Sequence, residues 1–122
     1  MVTGSAGFIG YHVSRALLDQ GKKVLGIDDL NDYYTPQLKK DRNARLHEYP
    51  GYEFRALNLC ERESLKMLCE VHTVTQICHL AAQAGVRHSL THPHLYPQAN
   101  VEGFLNVLEC ARCLNVPLVF AS

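Results

Sequence analysis

Gly4-Ser5-Ala6-Gly7-Phe8-Ile9-Gly10 follows the pair Val2-Thr3 and runs into Ile9, Val13, Ala16 and Leu17, which recur at helical spacing as far as Gly21. A strand, a glycine-rich turn and an amphipathic helix, in that order, make a seat for a pyrophosphate. Glycines remove the Cβ atoms that would hold phosphates off the backbone, and the free N–H groups and positive dipole end of the helix then face them. Gly4 and Gly7 serve that approach, while Gly10, inside the helix, lets it pack closely on the strand. Glycine turns also occur for purely structural reasons, but here a second feature coincides. Asp28 ends the next apolar run, Val24-Leu25-Gly26-Ile27, and lies eighteen residues after Gly10, close to the ~20 expected of the carboxylate that accepts hydrogen bonds from an adenosine ribose. That acid favours NAD over NADP, because a 2′-phosphate would meet its like charge and no arginine follows the strand to compensate.

Outward from this unit, strands and helices alternate. The run 24–27 has no polar alternation, the pattern of a strand buried on both faces of a parallel sheet. Residues 35–47 read as a polar helix ahead of the Pro50-Gly51 turn, and Tyr52 to Leu57 as the next strand. Leu65, Leu68 and Cys69 mark another helix, Val74 to Leu80 a further strand, and Val101, Leu105, Leu108 and Ala111 the stripe of a long helix ending at Leu114 or Asn115. Pro117 to Ala121 reads as a last strand. Such alternation predicts an α/β fold, a Rossmann-type doubly wound parallel sheet with helices on both faces. Residues 1–122 form one domain with no internal repeat or linker, and at this length there is no room for a second. Met1-Val2-Thr3 is short for a first strand and Ser122 directly follows an apolar one, so the chain reads as a domain truncated at both ends.

Twelve basic residues balance twelve acidic ones, so no global field draws the protein to nucleic acid or an anionic membrane, and any anionic ligand must be bound locally. No apolar run approaches the ~20 residues of a membrane span and no signal-peptide pattern opens the chain, so a cytoplasmic protein is expected. Five cysteines, Cys60, Cys69, Cys78, Cys110 and Cys113, are an odd number scattered through apolar segments; they read as reduced, buried thiols, and Cys110-x-x-Cys113 as core packing. His79 ends a buried strand and reads as a packed, hydrogen-bonded residue rather than a base. His88, His92 and His94 are separated by Pro93 and have no neighbouring carboxylate, so no metal site is expected. Tyr33-Tyr34 could stack on adenine or cap the sheet edge.

The spacing Gly-x-x-Gly-x-x-Gly resembles the short-chain dehydrogenase/reductase superfamily, in its extended nucleotide-sugar branch of NAD-dependent epimerases and dehydratases. Gly26-Ile27-Asp28-Asp29-Leu30-Asn31-Asp32-Tyr33-Tyr34 with Leu38-Lys39, then His79-Leu80-Ala81-Ala82-Gln83-Ala84-Gly85-Val86-Arg87, then Asn100-Val101-Glu102-Gly103, resemble UDP-glucuronate 4-epimerases over the whole chain. The resemblance implies that Phe8 and Ile9 cover the pyrophosphate, that Asp28 holds the adenosine ribose with Asn31 in the same cofactor set, and that Asn58 and Leu59 flank the adenine. Leu80, Ala81, Ala82 and Gln83 would pass under the nicotinamide-side ribose and phosphates, with Asn100 supporting the cofactor from the long helix. Asp29 stands where many relatives have Asn, and Asn58 where most have Asp; an amide oxygen can still accept from the adenine amino group. Arg87, after Val86 in a glycine loop at the carboxyl end of a strand, is the candidate for the substrate's carboxylate or phosphate, with a solvated loop charge as the other reading.

In the family, a tyrosine helped by a lysine four residues later and by a serine or threonine takes the proton from the sugar 4-hydroxyl, while the C4 hydride passes to NAD and returns on the other face. None of that set is present: no tyrosine in this sequence has a lysine four positions on, and the catalytic serine or threonine would lie just beyond Ser122. The resemblance therefore implies the NAD-binding portion of a UDP-sugar 4-epimerase, homodimeric when whole. UDP-glucose 4-epimerase, 4,6-dehydratase or decarboxylase are sibling readings, and a non-catalytic NAD-binding remnant is the alternative.

Overall fold

A computed structural model describes every residue from Met1 to Ser122. Five parallel strands form one sheet in the order β3-β2-β1-β4-β5: β1 (Val2–Thr3), β2 (Val24–Asp28), β3 (Tyr52–Ala56), β4 (Ile77–His79) and β5 (Leu118–Phe120). The chain builds outward in one direction through β3, then returns to the other side of β1 with β4. That reversal places the topological switch between β1 and β4, where doubly wound sheets bind their ligands. The central strand is only two residues long, yet it pairs on both sides, Val2 opposite Gly26 and Cys78, Thr3 opposite Ile27 and His79.

The helices divide between the two faces. Val2, Val24, Leu46 and Tyr52 pack with Tyr11 and Leu18 beneath α1 (Phe8–Asp19) and α2 (Pro36–Leu46). Ile27, Leu65, Cys69, Ile77, Val107, Cys110 and Ala111 pack beneath α3 (Arg62–Val71) and α6 (Phe104–Leu114). Two short helices, α4 (Val86–Ser89) and α5 (Leu95–Pro97), lead into a π-helical segment, Gln98–Gly103, that continues directly into α6. Helix α1 stops as the glycine at its end requires. Gly21 has φ +73°, and the N–H groups of Gly21 and Lys22 return to the carbonyls of Leu18 and Leu17.

Four expectations need correction. The buried face of α1 is Gly10, Tyr11, Ser14 and Leu18, whereas Ile9 and Ala16 are exposed and Val13 and Leu17 half-buried. In α6 the buried residues are Asn106, Val107, Cys110 and Ala111, while Val101, Leu105 and Leu108 of the expected stripe face outward. In both helices close approach to the sheet selects small or hydrogen-bonding residues; Asn106 donates to the Leu59 carbonyl at 2.9 Å, and Gly10 lies against the turn. Strand β4 spans Ile77–His79 rather than 74–80: it pairs with Val2 and Thr3 of β1 and with Leu118 to Phe120 of β5, and Val74 and Thr75 lie outside both ladders. Of the five free thiols, Cys69 and Cys110 are buried and Cys60 and Cys78 half-buried, but Cys113 is exposed, rotated past the edge of the buried face of α6.

Candidate functional site

The glycine turn sits at the carboxyl end of β1, where Gly4 and Gly10 leave no room for a side chain and Gly7 leaves little. Gly4 has φ +69°, and a Cβ there would lie 2.8 Å from the backbone nitrogen of Ala81 across the switch point. A Cβ on Gly7 would press on the Gly4 carbonyl at 3.1 Å. One on Gly10 would collide with that same carbonyl, so α1 can lie against the turn only without a side chain there. No side chain caps α1. Its first-turn N–H groups, including those of Phe8 and Ile9, are therefore left for an anion. The Phe8 and Ile9 side chains themselves are exposed at the start of the helix.

Asp28 closes the adjoining strand, buried to 8% exposure, and its carboxylate is held from three directions. Oδ2 accepts the Ala6 N–H at 3.2 Å, tying the acid to the glycine turn, and Oδ1 accepts the Leu30 N–H at 2.9 Å. The third partner is Lys39 of α2, whose ammonium lies 3.5 Å from Oδ1 and 3.9 Å from Asp29, and donates to Asn31 Oδ1 at 2.9 Å. Asp29 in turn accepts from the backbone and side-chain N–H groups of Asn31. Arg42, one turn further along α2, donates to the Tyr34 hydroxyl at 3.0 Å and reaches the Ala6 carbonyl at 3.4 Å. Cations absent from the sequence beside the strand are thus delivered by the fold. Lys39 lines the candidate groove and motif spacing misses it, although it falls in the Leu38-Lys39 segment of the resemblance, which was the available signal; Arg42 braces Tyr34 and the turn from behind.

These groups open onto a groove of about 790 Å³ that runs along the carboxyl ends of the strands. Gly4, Gly7, Asp28 and Asn31 line it, as do Asn58 and Leu59 beyond β3, and Leu80, Ala81, Ala82 and Gln83 beyond β4. Cys60, Gln98 and Glu102 complete the wall opposite Asp28, and Tyr33 and His88 stand at its rim with their rings 5.1 Å apart, edge to face. Asn58 uses its side-chain oxygen on the Cys60 N–H at 2.9 Å. Asn100 grips Gln83 through two bonds, accepting its N–H at 2.8 Å and donating to its carbonyl at 3.0 Å, so it fixes the loop after β4. A second cavity of about 270 Å³ lies on the far side of Leu80 to Ala82, walled by His79, Asn100, Phe104 and Phe120.

Val86 and Arg87 begin α4 exposed, and neither lines either cavity. The loop before them is pinned: the Tyr96 hydroxyl bonds the Ala84 carbonyl at 3.0 Å, and the Tyr33 hydroxyl lies where a Cβ on Gly85 would stand. Tyr33 therefore braces this loop, while Tyr34 packs between Lys39 and Arg42, their charges 5.2 and 5.9 Å from its ring centre. His79 is packed and hydrogen-bonded as expected, 2.7 Å from Thr3 Oγ1 and stacked on Phe104, and burial pushes its pKa down. His88 and His92 stack ring on ring at 4.3 Å. No helix is long and apolar enough to cross a membrane.

The geometry is matched by likeness to known proteins. UDP-glucuronate 4-epimerase 3 from Arabidopsis thaliana is 46% identical over 94% of this chain, which covers 26% of that protein. The UDP-glucose 4-epimerase of Thermus thermophilus, solved in complex with NAD, superposes with a TM-score of 0.81 at 35% identity, covering 99% of this chain and 36% of that one. A mutant UDP-glucuronic acid 4-epimerase from Bacillus cereus, solved with UDP-4-deoxy-4-fluoro-glucuronic acid and NAD, superposes with a TM-score of 0.84 at 30% identity, covering 98% of this chain and 37% of that one. This chain spans only about a quarter to two fifths of the length of such relatives. The model of the GDP-mannose 4,6-dehydratase family matches residues 1–122, and the chain belongs to that family of nucleotide-sugar epimerases and dehydratases.

Proposed function

We propose that this chain is the NAD-binding portion of a nucleotide-sugar 4-epimerase of the UDP-glucuronate type. The observation that carries the reading is the convergence at the β1/β4 switch of a glycine turn, in which Gly4 and Gly10 exclude a side chain and Gly7 leaves little room for one, with a buried acid hydrogen-bonded to that turn. The first-turn N–H groups of α1 would take the pyrophosphate, Asp28 with Asn31 the adenosine ribose, and Asn58 and Leu59 the adenine. Leu80 to Gln83, braced by Asn100, would carry the nicotinamide riboside half. Bound NAD supplies a reversible hydride acceptor for C4 of the sugar, and the part played by these residues is to hold it in one orientation against the substrate.

The substrate class rests on the relatives and on the segments that include Asn31-Asp32-Tyr33-Tyr34 and Val86-Arg87, where Arg87 is the candidate for the sugar's carboxylate. A 4,6-dehydratase is the second reading, favoured by the family match itself. The whole protein is read as a cytoplasmic homodimer. Titration of the chain with NAD and NADP, together with assay of the whole protein on UDP-glucuronate, tests this. The reading requires tighter binding of NAD and appearance of UDP-galacturonate; a 4-keto-6-deoxy product in a parallel assay on UDP-glucose, which carries the 6-hydroxyl that a 4,6-dehydratase eliminates, would select the dehydratase, and preference for NADP would refute the role given to Asp28.

A further inference from the structure

Thr3 Oγ1 is fully buried and has three neighbours: the N–H of Leu80 at 3.2 Å, the N–H of Ala81 at 3.3 Å and His79 Nδ1 at 2.7 Å. The Leu80 N–H also reaches the Thr3 carbonyl. A hydroxyl has one proton and two lone pairs. Backbone N–H groups can only donate, so Nδ1 is the single acceptor for the threonine proton, and it must be the unprotonated nitrogen of the ring. The imidazole proton therefore sits on Nε2. Burial disfavours the charged ring, which keeps His79 neutral at physiological pH and Nε2 a pure donor.

Nε2 has no partner within the chain. The one side-chain nitrogen or oxygen that is both enclosed and unpartnered is Ser14 Oγ, so Nε2 opens onto reachable space. Phe104 covers a face of the ring at 5.0 Å and 11°, leaving its edge free, and the space that His79 borders is the 270 Å³ cavity behind Leu80 to Ala82. The residue is only 6% exposed overall. The donor is thus turned away from bulk solvent and presented to that cavity, where an oxygen of a ligand can accept from it.

We infer that His79 donates its Nε2–H to an oxygen on the nicotinamide riboside half of the dinucleotide, a ligand-binding role fixed by Thr3 from behind. The inference rests on the proposed NAD reading: with adenosine at Asp28 and the pyrophosphate at the glycine turn, the remaining half extends past Leu80 to Ala82 into this cavity.

The test uses the full chain labelled with nitrogen-15 at histidine, followed by NMR while NAD or AMP is added. The ring should show the Nε2-protonated tautomer without ligand, and its Nε2–H resonance should shift with NAD but not with AMP, which lacks the nicotinamide half. A ring protonated on Nδ1, or NAD binding that leaves the His79 signals unmoved, would overturn the assignment while the cofactor reading stands. Failure of both ligands to bind would overturn the cofactor reading and this one together. His79→Phe keeps a ring against Phe104 and removes the donor. It should weaken NAD about 3- to 10-fold, the worth of one hydrogen bond, and leave AMP within about twofold. An equal loss for both ligands would mean that His79 serves the fold alone.

Discussion

Asp28 and Lys39 are the pair on which the proposed site is balanced. Their side chains are 7% and 6% exposed, so neither charge is screened well and each depends on the other. Asp28→Asn should cost about 3 kcal/mol of stability, since it leaves Lys39 buried beside a neutral group, and should weaken NAD at least tenfold while narrowing its margin over NADP; chemical denaturation and calorimetric titration read the two effects separately. Tyr52 supplies a second residue-scale outcome. Its phenol, buried and bonded to Asn43 Oδ1 at 2.9 Å, has its pKa pushed up to about 12, chiefly by burial. Between pH 10 and about 12 the unfolded chain releases a proton that the folded chain keeps, so stability should fall as pH rises through that window, and Tyr52→Phe should flatten the loss. At this scale the sequence showed the glycines and Asp28, because their spacing reports backbone geometry within one strand-turn-helix unit. Lys39 was not visible as a partner, since its approach to Asp28 depends on how α2 lies across the sheet.

Helices tell the difference between apolarity and burial. α6 and the π-helical turn before it have apolar residues on two sides: Val107, Cys110 and Ala111 meet α3 and the sheet, while Val101, Leu105 and Leu108 stand in solvent. Periodicity alone picks the larger side chains, whereas the sheet accepts the smaller ones because they allow closer approach. The same physics explains α1, where Gly10 and Ser14 are buried and Ile9 is not. The existence of the strands and their parallel, doubly wound class were legible from the alternation of runs, but the length of β4 was not, because it is fixed by the partners on either side. An outward stripe of this kind fits the proposed homodimer. Leu105→Glu, at a position 56% exposed, should leave the unfolding free energy within about 0.5 kcal/mol of the parent and abolish any concentration-dependent association seen by sedimentation. Val107→Ala, fully buried between α3 and the sheet, should do the reverse and destabilise by about 1–2 kcal/mol without altering association.

The whole molecule is a sheet whose central strand is two residues long and whose switch point is held by contacts that cross it, Gly4 against Ala81 and Thr3 against His79, with Asn100 fixing Gln83 in the loop beyond β4. A dinucleotide lying along the carboxyl ends of the strands would touch both sides of that switch at once. Binding would then couple to folding, because the ligand reads a surface that exists only when β1, β2 and β4 are aligned. At a hundredfold excess over Kd, this linkage is worth about 2.7 kcal/mol, or roughly 10 °C in unfolding midpoint for a chain of this size. NAD should therefore raise the midpoint by that order and NADP by clearly less, measured by calorimetry at equal free ligand. AMP should fall between no effect and NAD, since on the proposed reading it would engage Asp28 and the adenine wall but not the loop after β4. The same chain should show no epimerisation of UDP-glucuronate at any cofactor concentration, because none of its six tyrosines has a lysine four positions on. Stabilisation without turnover is the signature expected of a half-site that is complete for its cofactor, and turnover by this chain alone would place the acid-base chemistry on residues other than the family's pair.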